Sequence, residues 1–230
     1  MQVECQYTED WDLNKKRSVA KQISSATWRA TNLKLYVKER LLMSSVYEIC
    51  PLFENDKYLL RFSCLDDAKE LVNVYGDKKA LPFFNSDNCH GDNFYYPNEL
   101  KMGQAIDFWV KSYQSRWFVR WTIINKEINR AIGTIELFHR EGNDELNHVG
   151  LLRLDLGSEF EKTDIIIDIM NMIIPSAYEL FDCDEIVTKV PIYAVERMEA
   201  AKKCGFNITD RLLVGTMDGY AYKDYWTIKR

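Results

Sequence analysis

The chain has 230 residues, 47% of them hydrophobic, enough to bury a sizeable core and too many for a disordered protein. That length suits one domain of ordinary size plus an extension, or two small domains. A formal charge of −5 and the lack of a long basic run exclude nucleic acid as the main partner, because phosphate binding is dominated by Lys and Arg.

Residues 1–46 read as an N-terminal helical extension. Trp28, Leu33, Val37 and Leu41 recur at roughly helical spacing, with Lys and Arg between them. That face either packs on the main body or makes a homodimer contact. From 56 to 63, DKYLLRFS reads as a strand. LDDAKELVNVYGD then reads as a helix, with Asp66 near its start and Gly76 at its end. KALPFFNSDNCHGDNFYYPN is a loop rich in Asn, Asp and aromatics. A helix follows, with Met102, Ile106, Trp109 and Tyr113 on one face.

RWFVRWTII and RAIGTIELF read as a hairpin joined by the polar turn NKEIN. Trp117, Val119, Trp121 and Ile123 share one face of its first strand. After the loop REGNDELN, HVGLLRLDL is another strand. The junction LDLGSEFEKTD leads into a helix from about Thr163, apolar nearly all round and so buried on more than one side. Pro175 is expected to kink or end it. DEIVTKV is a short strand, and AVERMEAAKKCGF a helix stopped by Gly205. Two strands, NITDRLLVG and YAYKDYWTI, close the chain around an Asp218-Gly219 turn. The order is that of one mixed α/β domain over 47–230.

The six cysteines are scattered and no CxxC occurs, so neither zinc nor a disulfide framework is signalled, and a reduced, cytoplasmic setting is expected. The opening MQVECQYTEDWD is unlike a signal peptide, and no apolar run reaches the ~20 residues needed to span a bilayer. No membrane partner is expected. His139 and His148 flank the loop between two strands, where a metal site would need more ligands, so no metal is expected. Cys89, His90 and Asp92 hint at a thiol with a base, but adjacent loop residues seldom aim at one another. The bland reading is an irregular loop.

This order, with these residues, resembles the GNAT acyltransferase superfamily, most closely its RimJ/RimL-type N-acetyltransferase branch. FENDKYLLRF with LDDAKELVNVYGD is similar to the opening strand and first helix of that branch, IGTIELF to its third strand, VERMEAAKKCGF to its penultimate helix, and YAYKDYWTIKR to its last strand. The likeness covers about residues 50–230, and residues 1–46 have no counterpart. It implies a twisted, mostly antiparallel mixed sheet with helices on both faces and a splayed parallel pair, 148–156 and 184–190. It implies acetyl-CoA as co-substrate in that cleft, no metal, and direct attack on the thioester by a primary amine of a peptide or small molecule. The backbone of Leu154, Asp155 and Leu156 would hold the pantetheine. The pyrophosphate loop falls on Glu161, Lys162, Thr163 and Asp164, where the glycines of the family are missing. Arg197 joins this cofactor-binding set. Ala194 and Ala201 stand where the family often has an Asn and the acidic Tyr.

Within the resemblance, Glu136 is a candidate general base acting through a water. Its alternative is a cross-strand partner for a cation such as Arg153. Tyr222, or Tyr220, is the candidate to replace the missing acid. Phe84, Asp87, Asp92 and Tyr95 would border the acceptor amine. Lys162 is expected to reach the pyrophosphate, and Asp164 to turn back on the helix start. The other reading is a non-catalytic protein of this fold, a CoA sensor or an interaction module.

Overall fold

The structure, a computed structural model, describes residues 45–230. The helical extension expected over 1–46 lies outside the described residues, apart from its last two. The described strands and helices belong to one compact unit, Cys50–Arg230.

Eight strands form one sheet in the order β1-β2-β3-β4-β5-β6-β10-β7. They are β1 (Phe53–Glu54), β2 (Tyr58–Phe62), β3 (Val119–Asn125), β4 (Arg130–Arg140), β5 (Val149–Leu156), β6 (Glu185–Lys189), β7 (Asn207–Ile208) and β10 (Tyr225–Lys229). A separate ribbon pairs β8 (Leu213–Val214) with β9 (Ala221–Tyr222). The expected closing pair of strands is thus four short ones. NITDRLLVG does not run through as one strand, because the Arg211 N–H turns back to the Thr209 hydroxyl (3.2 Å) and takes the chain off the sheet.

The hairpin β3–β4 is regular from Val119↔Leu137 to Ile123↔Gly133, then bulges between Ile123 and Ile124. Val119, Trp121 and Ile123 share one buried face, as the period of two requires. Trp117 does not join them. It precedes the strand and is 62% exposed, beyond Arg116, whose φ of 60° turns the chain. The opposite face of this hairpin is polar and buried, with Arg120, Thr122, Thr134 and Glu136.

Four helices are described. Helix α1 (Ala68–Tyr75) follows a 3₁₀ turn in which the Asp67 carboxylate accepts the Cys64 N–H (3.0 Å). In α2 (Glu99–Gln114) the Asn98 side chain caps the Lys101 N–H (3.0 Å). Both cover the polar face, with Tyr75 and Trp109 packed over Arg120. Helix α3 (Thr163–Leu180) meets the apolar face through Phe181, whose ring lies 6.4 Å from that of Trp121. Pro175 does not end the helix, which runs on to Leu180. It lies on the exposed side with Asn171, so the carbonyl it leaves unpaired faces water. Helix α4 (Val195–Lys203) ends at Gly205, whose φ of 92° lets the Phe206 N–H return to the Ala201 carbonyl (2.9 Å).

Strands β5 and β6 are parallel neighbours, joined through α3. Their pairing runs from Gly150↔Ile186 to Leu152↔Thr188 and stops there, although β5 continues to Leu156. Beyond Leu152 the strands part, and that splay is the feature around which the candidate site is built.

Candidate cofactor and acceptor site

Where strands part, backbone groups lose their ladder partners and must find others. Here α4 supplies one. The Arg197 guanidinium, 2% exposed, donates from Nη1 to the Leu154 carbonyl and to the Phe83 carbonyl, each at 2.9 Å. Its Nε and Nη2 form a fork on Glu161, at 2.6 and 2.7 Å. Arg197 and Glu161, both expected in the cofactor-binding set, are therefore bonded to each other. This fully buried pair is bidentate, the geometry in which a desolvated ion pair holds best.

The same helix fills the second expected anion position. The first N–H groups of α3 are free of intrahelical partners and favour a negative charge. The Thr163 N–H donates to the Glu196 carboxylate (2.8 Å), and so does the Thr163 hydroxyl. Those bonds hold the Glu196 carboxyl below its ordinary value. Asp164 was expected to turn back onto this helix start. It is exposed, and Glu196, which the sequence reading left out, takes the N–H. Lys162 is exposed beside it.

The polar face behind the splay is closed by a second network. Arg120, Glu136 and Arg153 lie opposite one another on β3, β4 and β5. Glu136 accepts from Arg120 Nε at 3.0 Å and from Arg153 Nη1 at 2.9 Å. Burial alone would raise its carboxyl, but the two arginines outweigh that and hold it below the usual carboxylate range. A base must have an oxygen free for a proton; both oxygens of Glu136 are engaged by cations, and the side chain is 1% exposed. The cross-strand alternative describes this geometry. Asp155 faces the same way and accepts from Arg120 Nη1 and Tyr75 Oη, both 2.8 Å, while its neighbour Leu156 pairs with Gly133. Within this face, Arg153 Nε and Asp155 Oδ1 have no protein partner among the described residues.

The four expected acceptor residues separate. Asp87 reaches the splay, where it accepts from Lys189 Nζ at 2.6 and 2.7 Å and from Tyr225 Oη at 3.1 Å. Its carbonyl accepts from Arg153 Nη2 (2.9 Å). Phe84 is core, packed 5.1 Å from the Tyr75 ring. Asp92 closes its own loop through the Phe94 N–H and Tyr96 Oη, both 2.8 Å. Tyr95 lies apart, half-buried, with Lys78 over its ring. The Tyr222 hydroxyl donates to Asp218 (2.6 Å), a bond that raises its phenol. Cys89 donates to the Asp87 carbonyl (3.4 Å), and burial pushes its thiol up, away from a nucleophilic thiolate. A concavity of about 450 Å³ between Leu65 and α2 shares no lining residue with the splay.

No protein-family model matches the chain, and no curated protein matches it. Solved structures do. The ribosomal-protein-S5-alanine acetyltransferase from Vibrio fischeri matches with a TM-score of 0.57 at 16% identity, over 78% of this chain and 96% of that one. RimL, a ribosomal L7/L12 alpha-N-protein acetyltransferase solved with coenzyme A, matches with a TM-score of 0.58 at 12% identity, over 78% and 98%. The microcin C7 self-immunity acetyltransferase MccE, solved with acetyl-CoA and AMP, matches with a TM-score of 0.56 at 16% identity, over 76% and 94%. The architecture is that of the GNAT acetyltransferases: a mixed, mostly antiparallel sheet with one parallel pair.

Proposed function

We propose that this chain transfers an acetyl group from acetyl-CoA to a primary amine. The observation that carries the reading is the splay of β5 from β6 after Leu152, in a fold shared with acetyltransferases solved with CoA or acetyl-CoA. In this reading the amine nitrogen attacks the thioester carbonyl, the C–S bond breaks, and the proton lost by the amine ends on the CoA thiolate. Positioning supplies most of the acceleration. Backbone groups of Leu154 and Leu156 hold the pantetheine, which requires Arg197 to give up the Leu154 carbonyl. The α3 start and Lys162 hold the pyrophosphate, which requires Glu196 to leave Thr163.

With Glu136 locked between arginines, the acceptor must reach the site already neutral. An α-amine, with an ordinary pKa of about 7.7–8.0, is partly neutral near pH 7.5, whereas a lysine amine at about 10.4 is not. We therefore favour a peptide N-terminus or a small amine of similar basicity, received beside Asp87. For Tyr222 to protonate the thiolate, its hydroxyl must leave Asp218. A cytoplasmic setting, an extension over 1–46 and a homodimer contact through it belong to the same reading. No described helix is long and apolar enough to cross a membrane.

A non-catalytic reading is favoured by one observation: Arg197 and Glu196 already occupy the groups a cofactor would use. Melting curves with millimolar CoA and acetyl-CoA, followed by thiol release with N-terminal peptides, separate the two. Ligand at 100 times its dissociation constant stabilises the fold by about 2.7 kcal/mol. A shifted curve with thiol release supports the enzyme. A shift without release leaves a CoA sensor, and an unmoved curve leaves an interaction module.

A further inference from the structure

The chain has three histidines, and two of them meet at the end of the sheet away from the splay. His139 lies near the end of β4, opposite Gly150, and His148 immediately precedes β5. Glu141 stands between them in the chain, at the start of the connecting loop. We propose that His139, Glu141 and His148 bind a divalent transition-metal ion of the zinc class, with a further coordination position left open to water. The site is independent of the acyl-transfer reading.

Geometry carries the proposal. The facing nitrogens, His139 Nε2 and His148 Nδ1, are 3.3 Å apart. Two imidazoles on one tetrahedral ion, with bonds of about 2.0–2.1 Å, place their nitrogens about 3.3–3.4 Å apart. One ligand atom from each of the three residues lies within 4.8 Å of the others.

The tautomer is also fixed. His139 Nδ1 is 2.7 Å from the Phe181 carbonyl, which can only accept. Nδ1 therefore carries the proton, and Nε2 turns its lone pair toward His148. A ring nitrogen held by a backbone carbonyl is the usual outer support of a metal-bound histidine. That carbonyl belongs to the C-cap of α3, the negative end of the helix, which favours a cation.

The loop that presents the other two ligands is held in shape. Arg140, 5% exposed, donates to Asp144 and to the Val214 carbonyl, both at 2.8 Å. Asp144 accepts the Leu146 N–H (2.9 Å), and the Gly142 N–H reaches the Asn147 side chain (2.8 Å). His148 itself sits at φ 54°, a left-handed conformation that a side chain with a Cβ normally avoids. Two imidazoles and one carboxylate suit zinc, copper or nickel and not magnesium or calcium, which take oxygen ligands. A bound ion would tie the 141–148 loop to β4 and, through Phe181, to α3.

The test uses the full chain with its thiols reduced, stripped by a chelator, and Zn²⁺ as the probe in competition with a chromogenic chelator. One ion should bind per chain at micromolar or lower concentration and raise the melting temperature, while Mg²⁺ should do neither. His148→Asn keeps a residue that tolerates the left-handed backbone and should weaken Zn²⁺ binding at least tenfold. Glu141→Gln should weaken it severalfold. His90→Asn, at the remaining histidine, should bind as the wild type does. Melting without metal checks each fold, and His139→Gln replaces any variant that does not fold. Absence of saturable binding overturns the proposal. So does undiminished binding by His148→Asn, which would put the ion on the cysteines, or equal binding of Mg²⁺.

Discussion

Arg120 is 2% exposed, yet its guanidinium serves Glu136, Asp155, Thr134 and the Tyr75 hydroxyl at once. Burial opposes its charge, but Glu136, Tyr75 and Asp155 together outweigh that and keep it ionised. Removing the cation leaves two buried carboxylates short of a partner. Arg120→Met should therefore cost about 3–5 kcal/mol, read from urea unfolding. Glu136→Gln keeps the shape and part of the hydrogen bonding, and should cost about 1–3 kcal/mol. The same variant separates the two roles of Glu136. As a cross-strand partner, its replacement lowers stability and leaves the turnover of folded protein within a few-fold of wild type. A rate loss of a hundredfold or more at unchanged stability would make it the base.

In the acyl-transfer reading, helix α3 and its neighbour α4 meet the cofactor's phosphates at the splay. Glu196 holds the Thr163 N–H, so a phosphate must displace a carboxylate before it can use the helix start. Glu196→Ala removes that competitor. Charge effects at exposed helix termini run to about 0.3–1 kcal/mol, so CoA should bind roughly twofold to fivefold more tightly. Calorimetric titration reads this, and unchanged or weaker binding would show that the carboxylate does not guard the site. The elements themselves were largely legible. Apolar runs with clear ends located β5, α3 and β6 to within about a residue, and Gly205 marked the end of α4. The exceptions turn on context. Pro175 is tolerated because its side of α3 faces water, and Trp117 falls outside β3 because Arg116 turns the chain. The site was less legible because its partners come from distant segments. Nothing in VERME shows that Glu196 reaches Thr163 or that Arg197 reaches Glu161. One signal was available: Arg120 falls between Val119 and Trp121, on the opposite face of a strand whose other face is all apolar. A charged residue there needs a buried partner, and Glu136 supplied it.

Across the whole molecule, buried ionisable groups set a pH window for stability. Glu136, Asp144 and Glu185 behave alike: burial alone would raise each carboxyl, but neighbouring arginines together with other hydrogen-bond donors outweigh it and each lies below its ordinary value. Their arginines are Arg120 with Arg153, Arg140 and Arg211. A carboxyl depressed in the folded state stabilises above its unfolded value, and that contribution is lost as pH falls through the folded value. The unfolded values are 3.8 for Asp and 4.5 for Glu, so the loss should begin below about pH 5 and deepen toward pH 2. The alkaline side has the opposite sign. Burial pushes the Cys50 thiol from 9.0 up to about 12, and raises the Tyr75 and Tyr225 phenols above 10.0. A group raised in the folded state stabilises fully below its unfolded value and gives that up as pH climbs toward the folded one. Stability should therefore fall again above about pH 9, where the unfolded chain releases protons that the folded chain keeps. Between those limits the urea midpoint should be nearly flat. The carboxylates are buried or partly buried and directly paired, so raising salt from 0.1 to about 1 M should shift the acid limb little. Urea midpoints measured from pH 2.5 to 10.5 at both salt concentrations test this. A midpoint that rises as pH drops from 5 to 3 would mean that the Arg120, Arg140 and Arg211 pairs do not hold in solution.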